Sequence, residues 1–179
     1  MVKDLLSKIK LAKFNVLKIN YQGVNLEINQ DKEELKLKIR EFKFNPELNE
    51  CLDKFEIDFQ KADKFDMKSC IGHIRTFIEK LVVSIAVRIE EKSKIPSSEH
   101  IDKIGKARNY LKDKRVNFLS QKQDEFLGGF YGLASDENIG AHSLTSNKEH
   151  ARIIKNQAIE LGLFLVKLLD KRLQDFLTV

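Results

Sequence analysis

Apolar residues recur along most of this chain at the three- and four-residue spacing of amphipathic helices. Asn45 followed by Pro46 is a helix start signal, because Asn is a good N-cap and Pro suits the first helical position. The helix that follows carries one apolar stripe, formed by Leu48, Leu52, Phe55 and Phe59. Further helices are predicted over residues 31–43, 66–91, 98–113, 116–131 and 147–176.

Two of these predicted helices are apolar on nearly every side rather than along one stripe. From Ile71 to Ile89 apolar residues occupy most positions, and nine of the twelve residues at 158–169 are apolar. Such helices are buried on several sides. They can form the central pair of a bundle or a helix-on-helix dimer interface, and the sequence leaves both arrangements open.

The first 45 residues follow a different pattern. A short amphipathic helix is predicted at 2–13, and Gly23 then separates two alternating apolar sets, which predict a β-hairpin: Leu17, Ile19 and Tyr21, then Val24, Leu26 and Ile28. A hairpin alone is marginally stable, so we expect it to pack on the helices or on a partner. We therefore divide the chain into an N-terminal extension, 1–45, and a compact all-α bundle of five to six helices, 46–179.

Composition supports the helical class and leaves the function open. Only 8 Gly and 2 Pro occur in 179 residues, which argues against a sandwich or barrel rich in tight turns. The net charge of +5 permits attraction to nucleic acid or acidic partners. The most basic run, 103–115, offers Lys106, Arg108 and Lys112 as phosphate contacts, although a solvated helix face explains it as well.

No metal or cofactor site is expected from the sequence. Cys51 and Cys70 lack metal-type spacing, and the four histidines form no HxxxH or HExxH pattern. Two cysteines in helices favour a reducing cytoplasm over an oxidised scaffold. We find neither a signal-peptide plan nor a run of about 18 apolar residues, so a cytoplasmic protein without a membrane span is expected.

One polar loop between two apolar helices can hold chemistry. It runs from Ser135 to His142. His142 can act as a general acid or base near neutral pH, or it can merely cap the next helix. Arg75 and Glu79, four residues apart on an earlier helix, are expected to form a structural ion pair.

Two segments resemble the HEPN superfamily, the small helical domains of prokaryotic toxins, defence proteins and RNA-processing factors. The first is 70–81, where Arg75 and Glu79 lie in an apolar frame, similar to an early core helix of that family. The second is 138–152, where a Gly shortly precedes His142 and a long apolar final helix follows. The resemblance covers about residues 65–178 and lies in the pattern of apolar and polar residues.

The resemblance implies a compact dimerising bundle, and many members are metal-independent ribonucleases. In those, an Arg precedes the His by four to six residues, and the two assist attack of the 2′-hydroxyl and steady phosphate charge. Here residues 135–137 are Ser, Asp and Glu, which depart from that pattern. His142 carries over, with Asn138 as a neighbour and Arg152 as a displaced candidate for the arginine.

Three functions therefore remain open. The first is a HEPN-like binding or dimerisation module of an RNA-related, toxin–antitoxin or antiviral defence system. The second is a metal-independent ribonuclease toxin that uses His142, Asn138 and Arg152. The third is a purely structural protein–protein interaction domain whose N-terminal hairpin recruits a partner by strand addition.

Overall fold

The computed structural model describes residues 27–61, 67–135 and 148–177, and every regular element in them is a helix. The prediction of an all-α bundle is therefore confirmed for this part of the chain. The helices are α1 (27–41), α2 (Glu47–Lys61), α3 (Met67–Ser93), α4 (Ile104–Leu111), α5 (Gln121–Ser135) and α6 (Lys148–Leu177). The predicted helix at 2–13, most of the predicted hairpin and the loop containing His142 lie outside the described residues.

The predicted hairpin is wrong at its C-terminal end, because residues 27 and 28 are already helical. Ile28 belongs instead to a helical stripe with Leu35 and Ile39, and all three are buried. Three alternating residues are a short signal, and the longer helical period prevails over it. The helix ends at residue 41, and Lys43, just beyond it, has a φ of 54°, in the left-handed region that commonly terminates helices.

Helix α2 begins and packs as its sequence predicts. The side-chain oxygen of Asn45 accepts a hydrogen bond from the backbone N–H of Glu47 at 3.0 Å, which is the N-cap bond. Leu48 and Phe55 are fully buried, so the predicted stripe faces the core.

Helix α3 is the centre of the bundle and contacts α2, α4, α5 and α6. It packs against α6, so the two predicted all-apolar helices form a central pair. They pack closely at Gly162, where an added Cβ would lie 3.0 Å from Leu35 Cδ2 and 3.2 Å from Phe77 Cε1. The absence of a side chain at Gly162 therefore lets α1, α3 and α6 meet.

The predicted starts of α4 and α5 are each several residues too early. Residues 94–103 are irregular, and Tyr110 ties this segment to α4 by donating a hydrogen bond to the Ile95 carbonyl at 2.7 Å. Residues 112–120 are irregular as well, and they bury Val116 and Phe118. In both segments, long-range packing outweighs the local helix signal.

Helix α1 shares the core of the other helices. Lys38 pairs with Asp170 of α6 at 2.9 Å, and Lys36 pairs with Asp53 of α2 at 2.8 Å. The division of the chain at residue 45 stays a prediction.

Cys51 of α2 and Cys70 of α3 are both buried, and neither is part of a disulfide within the described part of the chain. Burial raises the pKa of the Cys51 thiol. None of the helices in the described part of the chain is both long enough and apolar enough to cross a membrane.

Candidate functional site

A cleft of about 880 Å³ opens beside α3, α4 and the second half of α5. Most of the residues that line it are polar or charged, among them Lys80, Lys103 and Lys106, and its apolar side chains are Val83 and Ile104. This volume lies in the range of ligand-binding clefts, which combine apolar walls with a few polar groups. We refer to it below as the α3–α4–α5 cleft.

A hydrogen-bonded cluster of three residues lies at one side of this cleft. The Tyr131 hydroxyl accepts bonds from Arg75, at 3.1 Å from Nε and 2.9 Å from one terminal nitrogen, and donates to a Glu79 carboxylate oxygen. Arg75 also lies 3.4 Å from Glu79, the pairing expected from their four-residue spacing. Tyr131 therefore joins two residues of α3 to α5.

The cluster shifts the acid–base properties of its members. The hydrogen bonds from Arg75 to Tyr131 are the main cause that raises the pKa of Arg75. Burial, reinforced by the bond to Glu79, raises the pKa of Tyr131. At neutral pH the arginine is thus a fixed cation and the tyrosine hydroxyl keeps its proton.

Most other charges around the cleft are already neutralised by neighbours. Lys80 pairs with Glu47, and this contact lowers the pKa of Glu47 and raises that of Lys80. Lys106 pairs with Asp102 at 3.0 Å. The side chain of Lys103 makes no hydrogen bond or ion pair with another described residue, so its ammonium group is available to an anionic ligand.

The three basic residues predicted to contact phosphates lie in two different environments. Lys106 lines the cleft. Arg108 instead binds Asp124 of α5, with Nε 2.7 Å from Oδ1, and Lys112 approaches the same carboxylate at 3.5 Å. Asp124 is only 6% exposed, so these two cations connect α4 to α5.

The residues predicted to be catalytic are not brought together by the described part of the chain. His142 and Asn138 fall in 136–147, which lies outside it. Arg152 is half-buried in the second turn of α6. The segment with His142 leaves α5 at Ser135, one helical turn beyond Tyr131.

No group of three His, Cys, Asp or Glu side chains suited to a metal ion occurs among residues 27–61, 67–135 and 148–177.

One further pair of titratable residues joins α2 to α3: His73 Nε2 lies 2.9 Å from an Asp58 carboxylate oxygen. Both side chains are half-buried, and the pair is an ordinary interhelical contact.

Tyr131 was missed by sequence reasoning. Its signal is a hydroxyl-bearing ring on a helix whose other aromatic residues are phenylalanines, Phe126 and Phe130. The sequence does not reveal that this hydroxyl meets Arg75, which is 56 residues earlier.

Comparison with known proteins gives no relative. No family model, curated protein or solved structure matches this chain.

Proposed function

We propose that this chain is a HEPN-like, homodimeric binding module that binds RNA at the α3–α4–α5 cleft. The observation that carries the proposal is the contact of Arg75 and Glu79 with Tyr131. These two residues belong to the first segment that resembles the family, and Tyr131 lies in the last turn of α5, seven residues before the second segment begins at residue 138. A toxin–antitoxin or antiviral defence setting is part of the same proposal.

The charges of the cleft fit a polyanionic ligand. Its three carboxylates, Glu47, Glu79 and Asp102, are each held by a cation of this chain. Lys103 remains as a positive charge that no described carboxylate binds. Val83 and Ile104 offer an apolar surface for an unstacked base, and Lys103 offers a phosphate contact.

Fluorescence anisotropy with a labelled single-stranded RNA of mixed sequence, measured over a series of salt concentrations, tests this proposal. Lys103→Ala should weaken binding several-fold and reduce the slope of log K against log salt by about 0.7, the loss of one phosphate contact. Lys114→Ala is the matched control, because Lys114 is also exposed and does not line the cleft. Binding that is independent of salt, or equal effects of the two variants, would reject the cleft as the RNA site.

The second candidate function is metal-independent RNA cleavage with His142 as general acid or base. Arg75 favours it, because a fixed cation lies against the helix that leads into the His142 segment, although residues 135–137 supply no arginine. Asn138 and Arg152 remain the other candidate members of this site.

A cleavage assay with excess chelator compares the wild type with His142→Ala. Loss of cleavage in the variant supports the ribonuclease, and cleavage that persists removes His142 from the mechanism. If the wild type neither binds nor cleaves RNA but a partner protein co-purifies with it, the protein is an interaction domain instead.

A further inference from the structure

An apolar groove of about 310 Å³ lies between α5 and α6, on a part of the surface that the α3–α4–α5 cleft does not include. Nearly all of its lining is apolar. Two of the most exposed large apolar side chains of the described chain border it, Phe126 at 62% and Phe164 at 43%. Water-exposed phenylalanines at a shared groove indicate a surface that a partner covers.

The charged residues beside this groove indicate what the partner is. Lys122 precedes Phe126 by one turn of α5, and Glu160 precedes Phe164 by one turn of α6, so each charge shares a helix face with its phenylalanine. Both are exposed, and neither side chain makes a hydrogen bond or ion pair with another described residue. One helix therefore presents an unneutralised cation and the other an unneutralised anion.

This arrangement is self-complementary. A two-fold axis through the groove sets α5 of one copy against α6 of the other, and the same two contacts then occur twice. We infer that the α5–α6 groove is the homodimer interface, in which the phenylalanines of each copy enter the groove of the other and Lys122 pairs with Glu160 across the axis. The inference rests on the homodimer of the proposed function and assigns its surface.

Charge reversal combined with analytical ultracentrifugation tests the interface. Lys122→Glu and Glu160→Lys should each raise the dimer Kd about tenfold, because each places like charges together at two symmetric contacts. The double reversal should return the Kd to within about threefold of the wild-type value, because it restores opposite charges. A double variant as weak as the single ones would overturn the pairing.

Phe126→Ser should raise the dimer Kd at least about tenfold, since it removes an aromatic anchor. Ile57→Ser is the matched control, because Ile57 of α2 is 50% exposed and does not border the groove. Circular dichroism melting of each variant separates loss of association from loss of folding.

The measured dimer Kd values distinguish a wrong dimer interface from a wrong proposed function. A wild-type dimer that Phe126→Ser leaves intact rejects the groove and keeps the homodimer. A wild-type monomer at tens of micromolar protein rejects both the homodimer and its surface, while the RNA-binding experiment still decides the function of the cleft.

Discussion

Gly128 of α5 lies directly under the guanidinium group of Arg108. A Cβ added there would lie 2.5 Å from a terminal nitrogen of Arg108, whereas a Cβ at the neighbouring Gly129 would meet nothing within 4 Å. Alanine is favoured over glycine inside a helix by about 1 kcal/mol. Alanine should therefore gain the same helix propensity at both positions. Only at Gly128 would its methyl group collide with another side chain.

We expect Gly129→Ala to raise the free energy of unfolding by about 0.5–1 kcal/mol. Gly128→Ala should gain less or destabilise the protein, because Arg108 must move away from Asp124 to admit the methyl group. Urea denaturation of the two variants measures the difference. Equal gains would mean that Arg108 relaxes without cost.

Asp113 contributes to the free energy of unfolding by an amount that depends on pH. Its carboxylate accepts bonds from the Arg115 side chain at 3.1 and 2.9 Å and from the Arg115 backbone N–H at 2.8 Å, which lowers its pKa to about 2. An ordinary aspartate in the unfolded chain has a pKa of about 3.9. The stabilisation that results from the lowered pKa is fully present above about pH 4. It is lost as the pH falls toward the pKa of Asp113 in the folded protein.

An NMR titration of the Asp113 carboxyl carbon checks this expectation. In Arg115→Gln the pKa should rise part of the way toward its ordinary value, because the backbone bond to residue 115 remains. An unchanged pKa in the variant would assign the shift to the backbone bond alone.

Between elements, the Arg108–Asp124 pair links α4 to α5. Burial acts to raise the pKa of Asp124, but the bond and charge of Arg108 outweigh it and leave this pKa below its usual range. Arg108 also donates to the Asp124 backbone carbonyl at 2.9 Å. Removing Arg108 leaves a nearly buried carboxylate for which Lys112 is the one remaining ion-pair partner among the described residues.

Arg108→Leu should therefore lower the free energy of unfolding by about 2–4 kcal/mol. The double variant Arg108→Leu, Asp124→Leu should recover most of that loss, since no buried charge remains. Lys106→Ala is the control at the exposed pair with Asp102, where we expect a loss below about 1 kcal/mol. Guanidinium denaturation measures all three, and a double variant as unstable as Arg108→Leu would contradict the account.

The helices were predictable from the sequence where an apolar stripe or a capping residue within the helix sets its bounds. They were less predictable where contacts with distant residues set them. Asn45 and the stripe of α2 are readable because the bond that caps the helix start joins residues only two apart. The true start of α5 also has a readable signal, a reciprocal capping box between Ser120 and Gln123 with bonds of 2.8 and 3.3 Å. It was overlooked because apolar Val116 and Phe118 extend the helical pattern backwards, although both pack as irregular chain.

The candidate site was less predictable than the fold. Arg75 and Glu79 follow from their spacing, but Tyr131 joins them only through tertiary packing. The basic run at 103–115 was visible, yet the burial of Asp124, which engages Arg108 and Lys112, cannot be read from charge order.

At the scale of the whole molecule, α1 decides whether the chain is one cooperative unit. Leu35 is fully buried and its Cδ2 lies against Gly162, whereas Leu37 on the same helix is 48% exposed. Leu35→Ala should cost about 2–4 kcal/mol of unfolding free energy. Leu37→Ala, the matched control, should stay within about 0.5 kcal/mol.

Chemical denaturation followed by circular dichroism measures both leucine variants. One transition that shifts as a whole in Leu35→Ala indicates a single unit from α1 to α6. Two transitions, of which only the smaller shifts, would support the division of the chain at residue 45.

The two buried cysteines give the bundle built-in kinetic reporters. Cys51 is 5% exposed and Cys70 is fully enclosed, and a thiol must be exposed and ionised before an alkylating reagent can attack it. Each labelling rate therefore measures how often its own helix opens. If Cys51 reacts much faster than Cys70, α2 detaches by itself while the central helix stays folded, and equal rates mean that both are released only when the whole bundle unfolds.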